Sequence, residues 1–379
     1  MSQLKIAKLI IDLQFGSTGK GALAGFLAVR DKPDTLITAW AANAGHTYIA
    51  PGGRKFIHTM LANGIVSPGL RQILIGPGSL INPDALWAEI LWCADLLFDE
   101  DANLKVKLVI HPHAAVITQK HIDEEQGPMT KIGSTKKGVG AAAIDRIRRN
   151  PDDNNVAATA LKQHVLGKFV ATVAEYNAAM DDAEVVQIEG AQGYSLSMYH
   201  GMYPYTTSRD VTSAQIFADC GIPMSWWSKT EVIGTIRTFP IRVANRYDND
   251  GTQVGYSGGC YADQREIQWS ELGLQPELTT VTKLPRRIFS LSQLQLTEAI
   301  RQCSTDKLFV NFMNYCRSPD EVRTVIAAIY DAMVAAGMPT QSGIYFGFGP
   351  GDADILEMDN DTPPEVLFDA WQRTAICNQ

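Results

Sequence analysis

The sequence predicts an α/β protein with a largely parallel central sheet flanked by helices, and three observations predict it. Short continuous apolar runs recur along the 379 residues and alternate with segments of helical period. The runs lack the polar alternation of a half-solvated sheet, which marks strands covered on both faces. The first run passes through a glycine-rich turn into a helix, a strand–loop–helix unit.

Taken in order, residues 6–13 read as that first strand, 16–21 as the turn and 22–30 as the helix. Further buried strands are expected at 35–39, 72–75, 105–110, 185–189, 307–312 and 343–346. Helices are expected at 84–97, 161–180 and 320–336. The last has the best-marked start, with Ser318 able to cap, Pro319 suited to the first turn and Glu321 placed to return the capping bond. Residues 245–287 are polar and glycine-rich without a clear period, so they read as an irregular, loop-rich excursion within a single elaborated domain spanning 1–379.

Composition narrows the partners. A net charge of −8 offers no long-range attraction to a polyanion, so a nucleic-acid polymer is not expected, and bound phosphate must be held by local groups. The six cysteines, at 93, 220, 260, 303, 316 and 377, form no CxxC pair and fit reduced thiols rather than a zinc site. The apolar stretch near the N-terminus is too short for a membrane span, and no later segment reaches that length, so the expectation is a cytoplasmic protein without a membrane partner.

Four segments carry chemistry. Gln14-Phe15-Gly16-Ser17-Thr18-Gly19-Lys20-Gly21 combines small residues, successive backbone N–H groups and one lysine at a helix start, as a phosphate site needs; a plain tight connection explains the glycines equally well. It is not a Walker A loop, because Gln14 stands where GxxxxGK requires its first glycine and Gly21 follows the lysine. In Asn43-Ala44-Gly45-His46-Thr47, His46 can donate to developing charge on a transferring phosphoryl group or serve as a structural hydrogen-bonder. Residues 132–140 hold Ser134, Thr135 and two lysines ahead of a helix with Arg146, Arg148 and Arg149. Glu189-Gly190-Ala191-Gln192-Gly193 ends a strand and leads to the segment 200–208, where Gln192 can read a purine edge or satisfy its own loop.

In this order the four segments resemble the adenylosuccinate synthetase family, whose motifs GxQWGDEGKGK, NAGHT, IGTTxRGIGP and EGAQG…HGTYPYVTSS they match in turn, with the likeness running over about residues 6–355. The resemblance implies a Mg²⁺-dependent C–N ligase joining L-aspartate to the 6-position of a purine monophosphate. It further implies that Lys20 and His46 engage the phosphoryl group, with Gly16, Ser17, Thr18, Gly19, Gly21, Gly45 and Thr47 lining the donor phosphates. The position of Ser17 and the carbonyl of Gly45 correspond to metal ligands. Asn43, Ser134, Thr135, Gln192 and Thr207 would hold the monophosphate together with Ser17, and Arg149 matches an arginine that reaches the neighbouring subunit's site in a homodimer. Residues 280–287 resemble the TTGRxRR loop that closes on aspartate, giving Thr280, Val281, Thr282 and Arg286 as its contacts and Arg287 as a neighbour of the donor nucleotide. Asn311, Asn314, Gly347, Phe348, Gly349 and Pro350 correspond to the segments around the donor base.

Three departures narrow the substrate. Ser17 replaces the family's aspartate, which serves as base and metal ligand, and its shorter side chain opens space where guanine carries its 2-amine. Leu284 replaces an arginine near the ribose 2′-hydroxyl, which suits a deoxyribose. Asn314 replaces an aspartate that reads guanine in GTP, and its amide suits adenine. Together they resemble the phage branch of the family that acts on dGMP with ATP or dATP on the path to diaminopurine DNA. The rival readings are an ordinary family member using IMP and GTP, or a nucleotide-binding regulator that has lost its base. Asp12 is a nearby carboxylate whose plain reading is a strand-end hydrogen bond.

Overall fold

The computed structural model describes residues 3–126, 131–132, 134–152, 155–279, 283–341, 343–359 and 362–377. Its centre is a nine-stranded sheet formed, in chain order, by β1 (Ile6–Asp12), β2 (Thr35–Thr38), β3 (Gln72–Ile75), β4 (Lys107–Ile110), β5 (Val185–Glu189), β6 (Thr230–Arg237), β7 (Lys307–Asn311), β8 (Ile344–Gly347) and β9 (Ile355–Met358). Across the sheet the order is β9-β8-β7-β6-β1-β5-β2-β3-β4, and every pairing is parallel except that of β9 with β8. This is the α/β architecture expected.

The main helices are α1 (Lys20–Asp31), α2 (Pro83–Trp92), α3 (Val139–Arg148), α4 (Val173–Asp181), α5 (Ser213–Cys220), α6 (Gln293–Cys303), α7 (Pro319–Ala336) and α8 (Pro364–Cys377). β1 shows why both faces need covering. Ile10 packs with Leu23, Ala24 and Leu27 of α1, whereas Ala7, Leu9 and Ile11 join the larger cluster that includes residues of α4 through α7. No helix among the described residues is long and apolar enough to cross a membrane. Cys93, Cys220, Cys260, Cys303 and Cys316 are free thiols.

Several boundaries differ from the sequence reading. The predicted helix over 161–180 is two pieces, a 3₁₀ turn at Val165–Phe169 and α4, because Val170 bridges to Ile110 of β4 and Thr172 starts a new helix with a capping box to Glu175. The helix predicted over 84–97 breaks at Cys93, leaving a separate turn at Ala94–Leu97. Ser318 does cap α7, accepting from the Glu321 amide at 3.2 Å, but the Glu321 carboxylate returns to the Arg317 amide instead of that of Ser318. The central strand β6 and the edge strand β9 were absent from the reading. In β6, Glu231, Gly234 and Thr235 interrupt the apolar run that marks the other buried strands. Residues 245–287 are irregular as expected, with short strands beside a small core of Phe239, Ile241, Ile267, Trp269, Leu272 and Ile288.

Candidate active site

Five parallel strands end, at the same edge of the sheet, in Asp12, Glu189, Arg237, Asn311 and Gly347. Ligand sites of open α/β sheets lie at this carboxyl edge, because the loops leaving it are free to vary while the strands hold their roots.

Beyond Asp12 the chain turns through Gly16 (φ 92°), Ser17 (φ 57°) and Gly19 (φ 95°) before α1 begins at Lys20. Only glycine fits at position 19, since a Cβ there would strike the side chain of Asn311. Asp12 organises the turn. One carboxylate oxygen accepts from the amides of Gln14 (2.8 Å) and Gly16 (3.3 Å), and the other binds the Thr18 hydroxyl (2.5 Å) and Lys20 Nζ (3.2 Å). Both Asp12 and Lys20 are buried, so the pair fixes the ammonium at the helix start. This is more than the strand-end hydrogen bond the sequence suggested. Lys20 also donates to the carbonyl of Gln192 at 2.7 Å, and Gln192 Nε2 to Asn43 Oδ1 at 2.9 Å, which joins the first, second and fourth motifs. Gln192 has a φ of 64°, a left-handed conformation in which a non-glycine residue is held by its surroundings.

His46 lies within the same cluster. Its Nδ1 is 2.7 Å from Glu189 Oε1, Trp40 packs on the ring at 4.2 Å between centroids, and Trp40 Nε1 donates to the Glu189 carbonyl. The other Glu189 oxygen accepts from the Asn63 amide at 2.9 Å. Burial holds His46 below its ordinary value; the Glu189 carboxylate opposes this and Lys20 adds to it. A neutral ring that gives its Nδ1 proton to Glu189 presents Nε2 as an acceptor, and it donates from Nε2 only after taking up a proton.

On the other side, Asn311 Nδ2 donates to the Thr18 carbonyl (3.3 Å), and a Cβ at Gly347 would meet Asn311, so the 311–314 and 347–350 segments adjoin the turn. Asn314 lies in a 3₁₀ turn at Met313–Tyr315, and Phe348 is buried with its amide on the Asp354 carbonyl. Ser17, Gly45, Thr47 and Pro350 are exposed at the rim, and Gly21 packs under Thr47.

The third motif stands apart. Ser134 Oγ accepts from the Lys136 amide (3.1 Å), and the Ser134 carbonyl from Arg246 Nη2. The start of α3, the natural seat for an anion, is taken by Glu125, whose carboxylate accepts from the amides of Gly138 (2.8 Å) and Gly140 (2.6 Å). Thr135 is half-buried, and Arg149, at the C-terminal cap of α3, is exposed. Thr207 donates its amide to the Leu196 carbonyl. Thr280, Val281 and Thr282 lie outside the described residues. Arg286 is half-buried with its amide on the Glu277 carbonyl (2.8 Å); burial pushes its guanidinium down from the usual value, with Glu277 opposing. Arg287 pairs with Glu266 at 2.6 Å and donates to the Gly258 carbonyl.

Sequence reasoning left Trp40, Asn63, Arg237 and Glu277 unassigned and quoted Glu189 without a role. Position supplies the signal for Glu189, a buried acid at the end of an apolar strand; no local pattern marks Glu277.

The acids are committed to partners, and among the described residues no group of three His, Cys, Asp or Glu could hold a metal ion. The oxygens offered at the turn, Ser17 and the Gly45 carbonyl, are neutral. That donor set fits Mg²⁺ carried in by substrate phosphates and does not fit a metal held by protein carboxylates alone.

Comparison with known proteins follows the same lines. The family profile described as adenylosuccinate synthetase matches residues 9–155 and 152–345. The chain is 51% identical over 371 residues to the N6-succino-2-amino-2′-deoxyadenylate synthase of Salmonella phage PMBT28, covering 94% of this chain and 98% of that protein. It is 33% identical over 240 residues to the adenylosuccinate synthetase of Pyrococcus horikoshii, covering 62% of this chain and 66% of that protein. Among solved structures, the succinoaminodeoxyadenylate synthetase of cyanophage S-2L, bound to dGMP and to dATP as an energy donor, superposes with a TM-score of 0.86 at 41% identity, covering 98% and 99% of the two chains.

Proposed function

The chain belongs to the adenylosuccinate synthetase family, and from that premise we propose that it condenses dGMP with L-aspartate to N6-succinyl-2-amino-2′-deoxyadenylate, driven by hydrolysis of ATP or dATP. The observation that carries the reading is the substitution set Ser17, Leu284 and Asn314 within motifs that keep the family's order and its Lys20, His46 and Gln192. The S-2L structure, bound to dGMP and dATP, supports the same substrates.

In this reading the guanine O6 attacks the donor γ-phosphate, and the aspartate amine then displaces phosphate from the 6-phosphoryl intermediate. Lys20, held by Asp12, places positive charge at the transferring group, and the turn amides add fixed dipoles. His46, oriented by Glu189, donates to the phosphoryl oxygens once the anion draws a proton onto its ring. Ser17, Asn43, Ser134, Thr135, Gln192 and Thr207 hold dGMP; Thr280, Val281, Thr282 and Arg286 hold aspartate. Asn311, Asn314, Gly347, Phe348, Gly349, Pro350 and Arg287 flank the donor. Ser17 and the Gly45 carbonyl would hold Mg²⁺ together with the donor phosphates, and the ion would supply charge neutralisation to the transferring group.

Arg149 completes the site of a second copy. In support, Ile144 and Ile147 of α3 are 47% and 74% exposed beside it, an apolar face suited to a dimer. The chain works as one elaborated domain in the cytoplasm of its host cell.

The test is phosphate release with Mg²⁺ and L-aspartate, comparing dGMP with IMP and ATP with GTP. Release with dGMP and ATP that vanishes without aspartate is the expected result; turnover only with IMP and GTP would overturn the reading.

A further inference from the structure

Arg237 closes β6 with no exposed surface, and a guanidinium so buried is tolerated only with good partners. Its partners come from three places. First, the turn at the phosphate site: the Arg237 amide donates to Gln14 Oε1 (2.9 Å), Gln14 Nε2 donates back to the Arg237 carbonyl (3.2 Å), and Nη1 reaches the Ser17 carbonyl (3.4 Å). Second, the base segment: the guanidinium lies 3.9 Å from the Phe312 ring centre and 5.6 Å from that of Tyr315, the residues on either side of Met313-Asn314. Third, the excursion: Nη2 pairs with Glu277 Oε1 at 2.5 Å and Nη1 approaches Oε2 at 3.4 Å, while the Tyr315 hydroxyl donates to Oε1 at 2.9 Å.

Glu277 has a fixed place in that excursion. Its carbonyl accepts from the Arg286 amide, and Leu278 bridges to Pro285, so these residues form a two-sided stem that holds Arg286. Burial pushes the Glu277 carboxyl up, but the Arg237 charge and hydrogen bond, the Tyr315 hydroxyl and the Arg286 charge together outweigh it, and the group stays ionised.

We propose that the Arg237–Glu277 pair is a positioning device that seats the stem of the aspartate loop against the phosphate turn and the base segment, so that aspartate binding depends on a carboxylate that never touches aspartate. This rests on the function proposed above, in which Arg286 holds L-aspartate. The pair would set where Arg286 points, because the Arg286 amide hangs from the same residue that Arg237 holds. Loss of the Glu277 charge therefore falls on aspartate affinity and spares the chemical step.

The test uses the full chain with Glu277→Gln, which keeps the shape and removes the charge. The apparent KM for L-aspartate is expected to rise about tenfold or more, with kcat at saturating aspartate and KM for the nucleotides within about threefold. Should that variant fail to fold, Tyr315→Phe leaves the ion pair intact and deletes only the hydroxyl orienting the carboxylate, with an expected rise in aspartate KM of about threefold. Equal increases in all three KM values, a fall in kcat with aspartate KM unchanged, or, in a folded protein, an aspartate KM that does not move would each overturn the proposal. Wild-type turnover, measured first with dGMP and with IMP, separates its failure from failure of the function itself, since the aspartate KM can be read with whichever monophosphate is used.

Discussion

The two sides of the cleft are built differently. On the side proposed for the phosphates, Asp12, Lys20, Gln192 and Asn43 form one chain of buried or half-buried hydrogen bonds, and Glu189 and His46 form a second, both rooted in adjacent strands. On the side proposed for aspartate, Arg286 and its neighbours ride on a loop whose nearest core is a cluster of six buried apolar residues, and the loop meets the sheet edge through Glu277 and Arg237. The difference follows the chemistry proposed for each side. Charge stabilisation during phosphoryl transfer requires groups fixed before reaction, whereas a side that takes up a free amino acid needs a loop able to admit it.

If that contrast is right, the largest loss of rate comes from the wired side. Lys20→Ala removes the buried ammonium that pairs with Asp12, so kcat for phosphate release is expected to fall about 10³-fold or more, with KM for dGMP changed only a few-fold. A fall of less than tenfold would mean the turn amides carry the transfer without it.

Next in size is the loop side, and there the effect should appear in binding. Arg286→Ala is expected to raise the aspartate KM about 30- to 100-fold while kcat at saturation stays within a few-fold, because a carboxylate loses its fork and no reacting atom loses a partner. A kcat loss as large as that of Lys20→Ala would erase the distinction between the two sides.

The same contrast decides what the sequence disclosed. The phosphate turn, Asn43, His46 and Gln192 were legible because their positions follow from short motifs at strand ends, and the α/β class followed from the apolar runs. Glu277 was not, since its partner lies 40 residues away and nothing near it in sequence is periodic. Arg237 was lost with its strand, whose polar residues hide a central position behind the pattern of an edge. Asp12 was seen but read too modestly, because a lone carboxylate after an apolar strand does not reveal that four donors converge on it.

A smaller effect should follow at the base segment. Asn314→Asp restores an acceptor for guanine N1–H and the 2-amine, so the ratio of kcat/KM for ATP to that for GTP is expected to fall about tenfold, comparable to one exchanged hydrogen bond. An unchanged ratio would assign donor choice to other residues, with Phe312, fixed over Arg237, the first to examine.

The smallest effect tests the boundary between the two sides. Ser17 is exposed at the crest of the turn, its backbone in the left-handed region, and among the described residues its hydroxyl makes no hydrogen bond, while its carbonyl accepts from Arg237. The backbone of Ser17 thus belongs to the wired side and its side chain to neither. Ser17→Ala keeps that carbonyl and removes only the hydroxyl, so if the group merely accepts from the 2-amine of guanine, KM for dGMP should rise about threefold and kcat should hold. If the hydroxyl instead relays the N1 proton, kcat itself should drop by about 10²-fold. The first outcome leaves the proton to a phosphate oxygen or to water and makes position 17 a reader of the purine; the second makes Ser17 the functional heir of the family's aspartate.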